Sequence, residues 1–401
     1  MTISRKFSTA ALASIFALGL VACGDDSSSS SADAKSDSKS GSEIQDSVAT
    51  GTGNPAKMLA TEDQQTTVAT LKDIADGKLY TVDYSSDYFM DEVLETGASH
   101  SSVELITFLY TKILKTAPSA KAKIDAGCSA FCAKTPDDEV ICGRNFDYRF
   151  VSAANVLVKN TPVTKGEFKS LSIAAMPFLD PETYVAGSLS DGKTDISPVI
   201  ASVYLGMDGM NENGVFISVL SLDGGKGGAA QHAEGKSPIT PSVGIRLVLD
   251  QAETVEDAID IFESHNFFAD GDSSAKSYHF IVGDATGHTA LIEYIRPNDE
   301  GEWEMNVLDG QDYATNMYMS EGWETFGVGG DRLEKIRKKL DEKKRVLTEE
   351  EAMKLLQSVS QELDPKEVTS NTQWSAVYNL TKKTVTICVD KDFSKQYSFE
   401  L

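Results

Sequence analysis

Apolar and polar positions recur with two different periods along this chain, and the switches between them mark its elements. Val68, Leu71 and Ile74, and later Val103, Ile106, Leu109 and Ile113, fall three or four apart, the spacing of one helical face. Between them residues 79–84 read as a short strand. A hairpin follows, with residues 129–134 outward, Thr135-Pro136-Asp137-Asp138 as the turn and residues 139–148 returning. Pro at the second turn position presets its backbone angle. Strand-like runs then come at residues 204–207, 215–222, 278–282, 289–295, 304–308, 375–380 and 384–389. Helices interrupt them. Residues 242–250 form one, and Thr254 caps another with Val255, Ala258, Ile259 and Phe262 on one face. Thr348 and Glu351 make a capping box ahead of Ala352, Leu355, Leu356 and Val359. Strand groups separated by helix pairs predict sheets covered by helices, an α+β layered domain.

The amino terminus follows neither period. Arg5 and Lys6 precede an apolar run from residue 10 to 20, relieved only by Ser14 and Gly19, which ends in Leu20-Val21-Ala22-Cys23. A span needs about 20 apolar residues, whereas a basic start, a short apolar stretch and small residues before a cut describe an export signal. Leu-Val-Ala-Cys resembles the lipobox of bacterial lipoproteins, which makes Cys23 the acylated anchor. Residues 24–54 are mostly Ser, Asp, Ala, Lys and Gly, the composition of a flexible tether. The expected plan is therefore a signal over residues 1–22, lipidated Cys23 and tether to 54, a packed leader over 55–127, and a main domain over 128–401. Localisation at the cell envelope follows, with membrane contact through the lipid alone.

Charge narrows the partners. The chain carries 37 basic and 61 acidic side chains, a net charge of −24, and the loss of Arg5 and Lys6 with the signal makes it −26. Such a chain repels nucleic acid and anionic lipid. The five cysteines, at 23, 128, 132, 142 and 388, follow neither metal-ligand spacing nor an even disulfide framework, and no metal or cofactor is implied. Cys132 and Cys142 lie on facing strands of the hairpin, where an oxidising compartment could join them. The glycine-rich segment from 223 to 235 is no phosphate loop, because Ala230 stands where the first glycine before Gly235-Lys236-Ser237 is required.

The chemistry centres on Gly127-Cys128. A thiol attacks an amide as thiolate and needs a base or a cation nearby. None of the five histidines, 100, 232, 265, 279 and 288, sits in a cysteine-protease context, and His279 and His288 read as sheet residues. A cysteine that begins a chain has a second base, its own α-amino group, with a pKa of about 7.7–8.0. Gly127, lacking a side chain, lets the thiol reach the preceding carbonyl. Cleavage there would make Cys128 nucleophile and base together.

At these residues a family resemblance enters. Cys128-Ser-Ala-Phe followed by Gly143-Arg144-Asn145-Phe146-Asp147-Tyr148 resembles the start of the choloylglycine hydrolase and penicillin V acylase group of N-terminal nucleophile hydrolases. Similar patterns open acid ceramidase and isopenicillin-N acyltransferase. The segment from Gly206 to Gly214, Ala314-Thr315-Asn316 and Gly330-Asp331-Arg332 are similar to later signatures, in the same order. The resemblance implies a four-layer αββα sandwich of two antiparallel sheets between helix layers. It also implies an amidase that acts on a small-molecule, linear carbon–nitrogen bond other than an ordinary peptide bond. Arg144 would lower the Cys128 pKa, and Asp147 would hold the new ammonium. The Asn316 amide would donate to the oxyanion, a contact worth about 2.7–4 kcal/mol where such donors have been removed. Arg332 would polarise the site or grip substrate. One departure stands out: choloylglycine hydrolases carry Asn and penicillin V acylases Tyr where this chain has Ser221, whose backbone N–H could complete the oxyanion hole. Neither substrate can be carried over. N-acyl amino acids, peptide-like or β-alanyl amides, conjugated bile acids and β-lactam side chains all stay open. Acyl transfer to an amine is the alternative within the class, and a non-catalytic binding lipoprotein the alternative outside it.

Overall fold

The computed structural model describes residues 51–115, 127–222, 227–270, 276–296, 298, 301–364, 366 and 370–401. The expected export signal, Cys23 and all but the last residues of the expected tether lie outside the described residues. The packed chain begins slightly earlier than its composition predicts. Gly51 donates to the Ala69 carbonyl, and the buried Asn54 side chain bonds the Ser188 and Thr194 carbonyls. No helix among the described residues is long and apolar enough to cross a membrane.

Two large sheets carry the fold. The nine-stranded sheet runs Lys72–Asp73, Leu79–Tyr84, Asn155–Asn160, Ser170–Ala175, Gly206–Asn211, Phe216–Leu222, Ser277–Gly283, Thr289–Ile295 and Glu304–Asp309. The six-stranded sheet runs Tyr313–Ala314, Gly127–Lys134, Val140–Asp147, Thr372–Asn379, Thr384–Val389 and Tyr397–Glu400. Helices Pro241–Gln251 and Val255–Glu263 lie on the first, and Gly330–Glu342 and Glu349–Ser358 on the second. This is the α+β, helix–sheet–sheet–helix layering expected from the sequence. One junction departs from it, since Leu79–Tyr84 pairs in parallel with Asn155–Asn160.

Local chemistry explains most of the boundaries. Thr254 with Asp257 and Thr348 with Glu351 each form a complete capping box. The first helix, Glu62–Ala69, is shorter than the apolar spacing suggests. Leu71 is buried beyond its end, and Ile74 follows the first strand. The run at 204–207 splits, because Ser197–Tyr204 is a 3-10 helix with Pro198 in its first turn and the strand starts only at Gly206. A segment buried on all sides carries no period from which its type can be read. The same cause hid Asn155–Asn160 and Ser170–Ala175, whose residues are nearly all buried. His279 lies on a strand as expected, but His288 lies in the turn that follows it.

The Gly127–Lys134 strand is buried on both faces. Cys128, Ala130 and Cys132 belong to the core between the sheets, whereas Phe131 and Ala133 pack under the helices with Ile336, Leu340 and Leu356. Phe131 lies across Gly143, directly opposite in register, where a Cβ would come within 2.7 Å of the ring. Cys132 pairs with Cys142 and the two are joined by a disulfide, which packs against Gly283 of the other sheet.

The segment before Cys128 is part of the same core. Leu79 and Val82 fill the sheet interior, and Val68, Leu105, Leu109 and Ile113 are buried with them. At about 1.5–3 kcal/mol for each such side chain, losing these six alone would cost as much as a domain's whole net stability of about 5–15 kcal/mol. A protease site inserted after residue 120 should therefore yield, once cut, two pieces that co-elute on size exclusion and separate only in denaturant. Separation in native buffer would show the leader to be dispensable.

Candidate active site

Hairpin register places the first group. Cys128 pairs with Phe146 and Ala130 with Arg144, so Arg144 lies two residues along the neighbouring strand on the face that Cys128 shares. Its Nη2 lies 2.8 Å from Cys128 Sγ and donates to the Val219 carbonyl at 3.1 Å. Its Nη1 donates to Asp208 Oδ2 at 2.6 Å and to the Met207 carbonyl. The guanidinium also lies over the rings of Phe146 and Trp374, at 5.1 and 5.8 Å. Asp208 accepts further bonds from Trp374 Nε1 at 3.0 Å and from the Tyr378 hydroxyl. Arg144 thus spans the gap between the sheets, with both charges of the pair fully buried.

On the helix side Arg332, in the first turn of Gly330–Glu342, gathers the remaining residues. Its Nη1 donates to the Cys128 carbonyl and to Ser129 Oγ, both at 2.7 Å, and lies 3.4 Å from Asp147 Oδ2. Its Nη2 donates to Asn316 Oδ1 at 2.9 Å. Asp147 is held by Gln361 Nε2 at 2.7 Å and Thr372 Oγ1 at 2.6 Å. The backbone nitrogen of Cys128 donates to Asn316 Oδ1 at 2.9 Å, and Asn316 Nδ2 donates to the Ser221 carbonyl at 2.8 Å. Two donors on one side and a carbonyl on the other fix the orientation of that amide.

The catalytic residues picked from the sequence therefore meet in one network, but three of them, Asn316, Asp147 and Ser221, are engaged differently from expectation. Asn316 turns its oxygen, not its NH2, toward Cys128. Asp147 anchors Arg332, Gln361 and Thr372, and the Cys128 nitrogen goes to Asn316. Ser221 takes part through its carbonyl, with its hydroxyl 3.5 Å from Asn316 Nδ2. The sequence reading missed Asp208, Trp374, Tyr378, Gln361 and Thr372. A signal existed for Asp208: it is a lone acid among apolar neighbours in a strand, and a buried charge requires a partner.

Burial dominates the electrostatics. Cys128 is 0% exposed. Burial pushes its thiol up to about 11, against the lowering effect of the Arg144 cation and hydrogen bond. The sulfur is thus neutral near pH 7 and shut off from any outside molecule. Burial likewise raises the carboxyls of Asp147 and Asp208, opposed chiefly by Arg332 and Arg144 respectively. No described hydrogen bond joins Cys128 to a histidine. Among the described residues, the ligand-type groups that converge are Glu256, Asp284 and His288, none of them in this network. Both ring nitrogens of His288 face carboxylates there, Glu256 at 3.1 Å and Asp309 at 2.6 Å.

Residues 134–393 match the family described as acyl-coenzyme A:6-aminopenicillanic acid acyl-transferase, and the chain belongs to that family. With it, the chain belongs to the superfamily of linear-amide hydrolases and acyltransferases. Among solved structures, the fold is similar to a variant of conjugated bile acid hydrolase from Clostridium perfringens, with 16% identity, 68% of this chain and 92% of that chain covered, and a TM-score of 0.47. It is also similar to penicillin V acylase from Agrobacterium tumefaciens, with 17% identity, 65% and 83% covered, and a TM-score of 0.43. No curated protein matches the chain.

Removing one member of a buried ion pair strands the other. Arg144→Met should lower stability by about 3–5 kcal/mol in urea denaturation. Arg144→Met combined with Asp208→Asn should recover about 1 kcal/mol or more of that loss, because no unpaired charge then stays buried. A double variant no more stable than Arg144→Met would show that the pair is not coupled.

Proposed function

We propose that the chain is a cysteine amidase of the N-terminal nucleophile type, activated by its own cleavage between Gly127 and Cys128. One observation carries the reading: a fully buried thiol has Arg144 on its sulfur, while Asn316 holds the nitrogen of the bond to be broken. A sulfur closed to outside substrates can still attack the carbonyl that precedes it. The sulfur bonds to the Gly127 carbonyl carbon, the carbon–nitrogen bond breaks, and the thiol proton ends on the departing nitrogen. Water then opens the thioester, leaving a carboxylic acid at Gly127 and the thiol restored. The freed amine, with a pKa of about 7.7–8.0, becomes the base that the buried thiol lacked.

Turnover repeats the chemistry on a substrate, which reaches Cys128 once the cut lets the new chain end at Gly127 move away from the sulfur. Cys128 takes the acyl group of a linear, small-molecule amide, the amine leaves, and water releases the acid. Arg144 stabilises the thiolate, and Asn316 and Arg332 orient the Cys128 backbone. Asp147 holds Arg332 in place, and Ser221 fixes the amide of Asn316. The family match favours a second resolution of the thioester, by an amine instead of water, which would make the enzyme an acyltransferase. The sequence of the amino terminus supports display at the cell envelope, through acylated Cys23 and the tether to residue 54.

Purified protein should run as two polypeptides in a denaturing mass spectrum, the larger beginning at Cys128, and Cys128→Ala should stay a single chain. The cut protein should release free acid from a panel of N-acyl amides; added amine that diverts the acyl group marks the transferase instead. An intact wild-type chain without amidase activity would refute the reading, and Cys128→Ala cut at residue 127 would assign the cleavage to another protease. A thiol raised to about 11 also sets the pH dependence. The thiolate fraction, and with it the self-cleavage rate, should rise about tenfold per pH unit between roughly pH 6 and 9. A flat profile would show that ionisation of Cys128 does not limit the step.

A further inference from the structure

His279 and Glu293 sit on adjacent strands of the nine-stranded sheet, outside the chemistry described so far, and both are 0% exposed. His279 Nδ1 lies 2.8 Å from Glu293 Oε1, and His279 Nε2 lies 2.7 Å from the Thr315 carbonyl. Glu293 also accepts from the Met319 amide at 2.9 Å on Oε1, and from the Ser320 amide at 2.9 Å and the Ser320 hydroxyl on Oε2. The Thr315 carbonyl can only accept, and a carboxylate already taking three bonds from Met319 and Ser320 is an acceptor too. With Glu293 ionised, both contacts are hydrogen bonds only when both ring nitrogens of His279 carry protons.

We propose that His279 and Glu293 form a buried imidazolium–carboxylate bracket that positions Asn316 against the Cys128 nitrogen, which makes both of them positioning residues for the reaction. The bracket grips one short segment at both ends, through the Thr315 carbonyl and through the amides of Met319 and Ser320. Asn316 is the first residue inside it. Its oxygen takes the Cys128 nitrogen, which leaves as an amine during cleavage and serves as base afterwards. A buried ion pair is poor value as stabilisation alone, because apolar side chains of similar volume do as well. Its gain here is a fixed backbone under a side chain that touches the reacting residue. Hydrogen bonds from His279 and Ser320 and the charge of His279 hold the Glu293 carboxyl below its ordinary range despite burial, in keeping with an ionised partner.

The proposal rests on the function assigned above, and its test separates the two. Nitrogen-15 histidine spectra of the wild-type protein, with the signal assigned through His279→Gln, should show a proton on both ring nitrogens under the conditions of the activity assay. A neutral tautomer there overturns the bracket. Glu293→Gln puts an NH2 group where only acceptors fit. It should lower kcat for amide turnover by about 100-fold, the scale of a small misplacement, with KM within about threefold. Imidazole added to His279→Ala should restore part of the lost rate, and His288→Gln, on the surface, should leave it unchanged. A folded Glu293→Gln protein with kcat within about threefold of wild type, or with the whole loss in KM, overturns the positioning role. If the wild-type chain neither cuts itself nor hydrolyses amides, the functional reading fails by itself. Exchange of the Cys128 amide hydrogen in the uncut chain then decides the bracket: about tenfold faster in Glu293→Gln supports it, and an unchanged rate overturns it.

Discussion

The contact between Arg144 and Asp208 ties the two sheets together at the point where the Cys128 sulfur sits, and the rest of the site is arranged around it. Two full charges in a buried layer are tolerable only when each is well supplied with partners, and of the arginine's three nitrogens only Nε is left without one. Asp208 has Arg144, Trp374 and Tyr378; Arg144 has Asp208, two carbonyls from the opposite sheet and the sulfur. The sulfur is one ligand in a cage that would exist for the arginine's sake. A cation so placed can favour thiolate when a base takes the proton, and it contributes no base itself.

That cage is reached from both faces of one strand. The face toward the opposite sheet carries the sulfur and Arg144. The face toward the helices carries Ser129, with Asp147 at the end of the neighbouring strand, and both meet Arg332. Strand alternation separates thiol chemistry from backbone positioning, and Cys128 takes part in both because its side chain and its backbone point different ways. The Cys132–Cys142 disulfide lies one turn of the pleat farther along the hairpin and holds the register on which this division depends.

Much of this was legible in the chain. The strands at 289–295 and 384–389, the hairpin around Thr135 to Asp138 and the capped helices after Thr254 and Thr348 have local causes, and local causes survive folding. Elements buried on every side did not show: Asn155–Asn160 and Ser170–Ala175 have almost no exposed face, and the alternation of Ser170 and Ser172 with Leu171 and Ile173 is too short to mark a strand. Asp208 escaped for a related reason. Its need for a partner is visible, but the partner lies 64 residues away on another sheet.

The sequence by itself singled out residues that the fold then brings into one network: Cys128 behind a glycine, Arg144 and Asp147 on the returning strand, and Asn316 and Arg332 downstream. It did so because residue type and hairpin spacing are properties of the chain. Tertiary structure alone decided how they are used. Asn316 offers its oxygen because Arg332 and the Cys128 nitrogen both arrive as donors on one side while the Ser221 carbonyl waits on the other. Asp147 serves Arg332 because that side chain enters from a helix nearly two hundred residues away. Hydrogen-bond direction depends on what is opposite, and only the fold decides what that is.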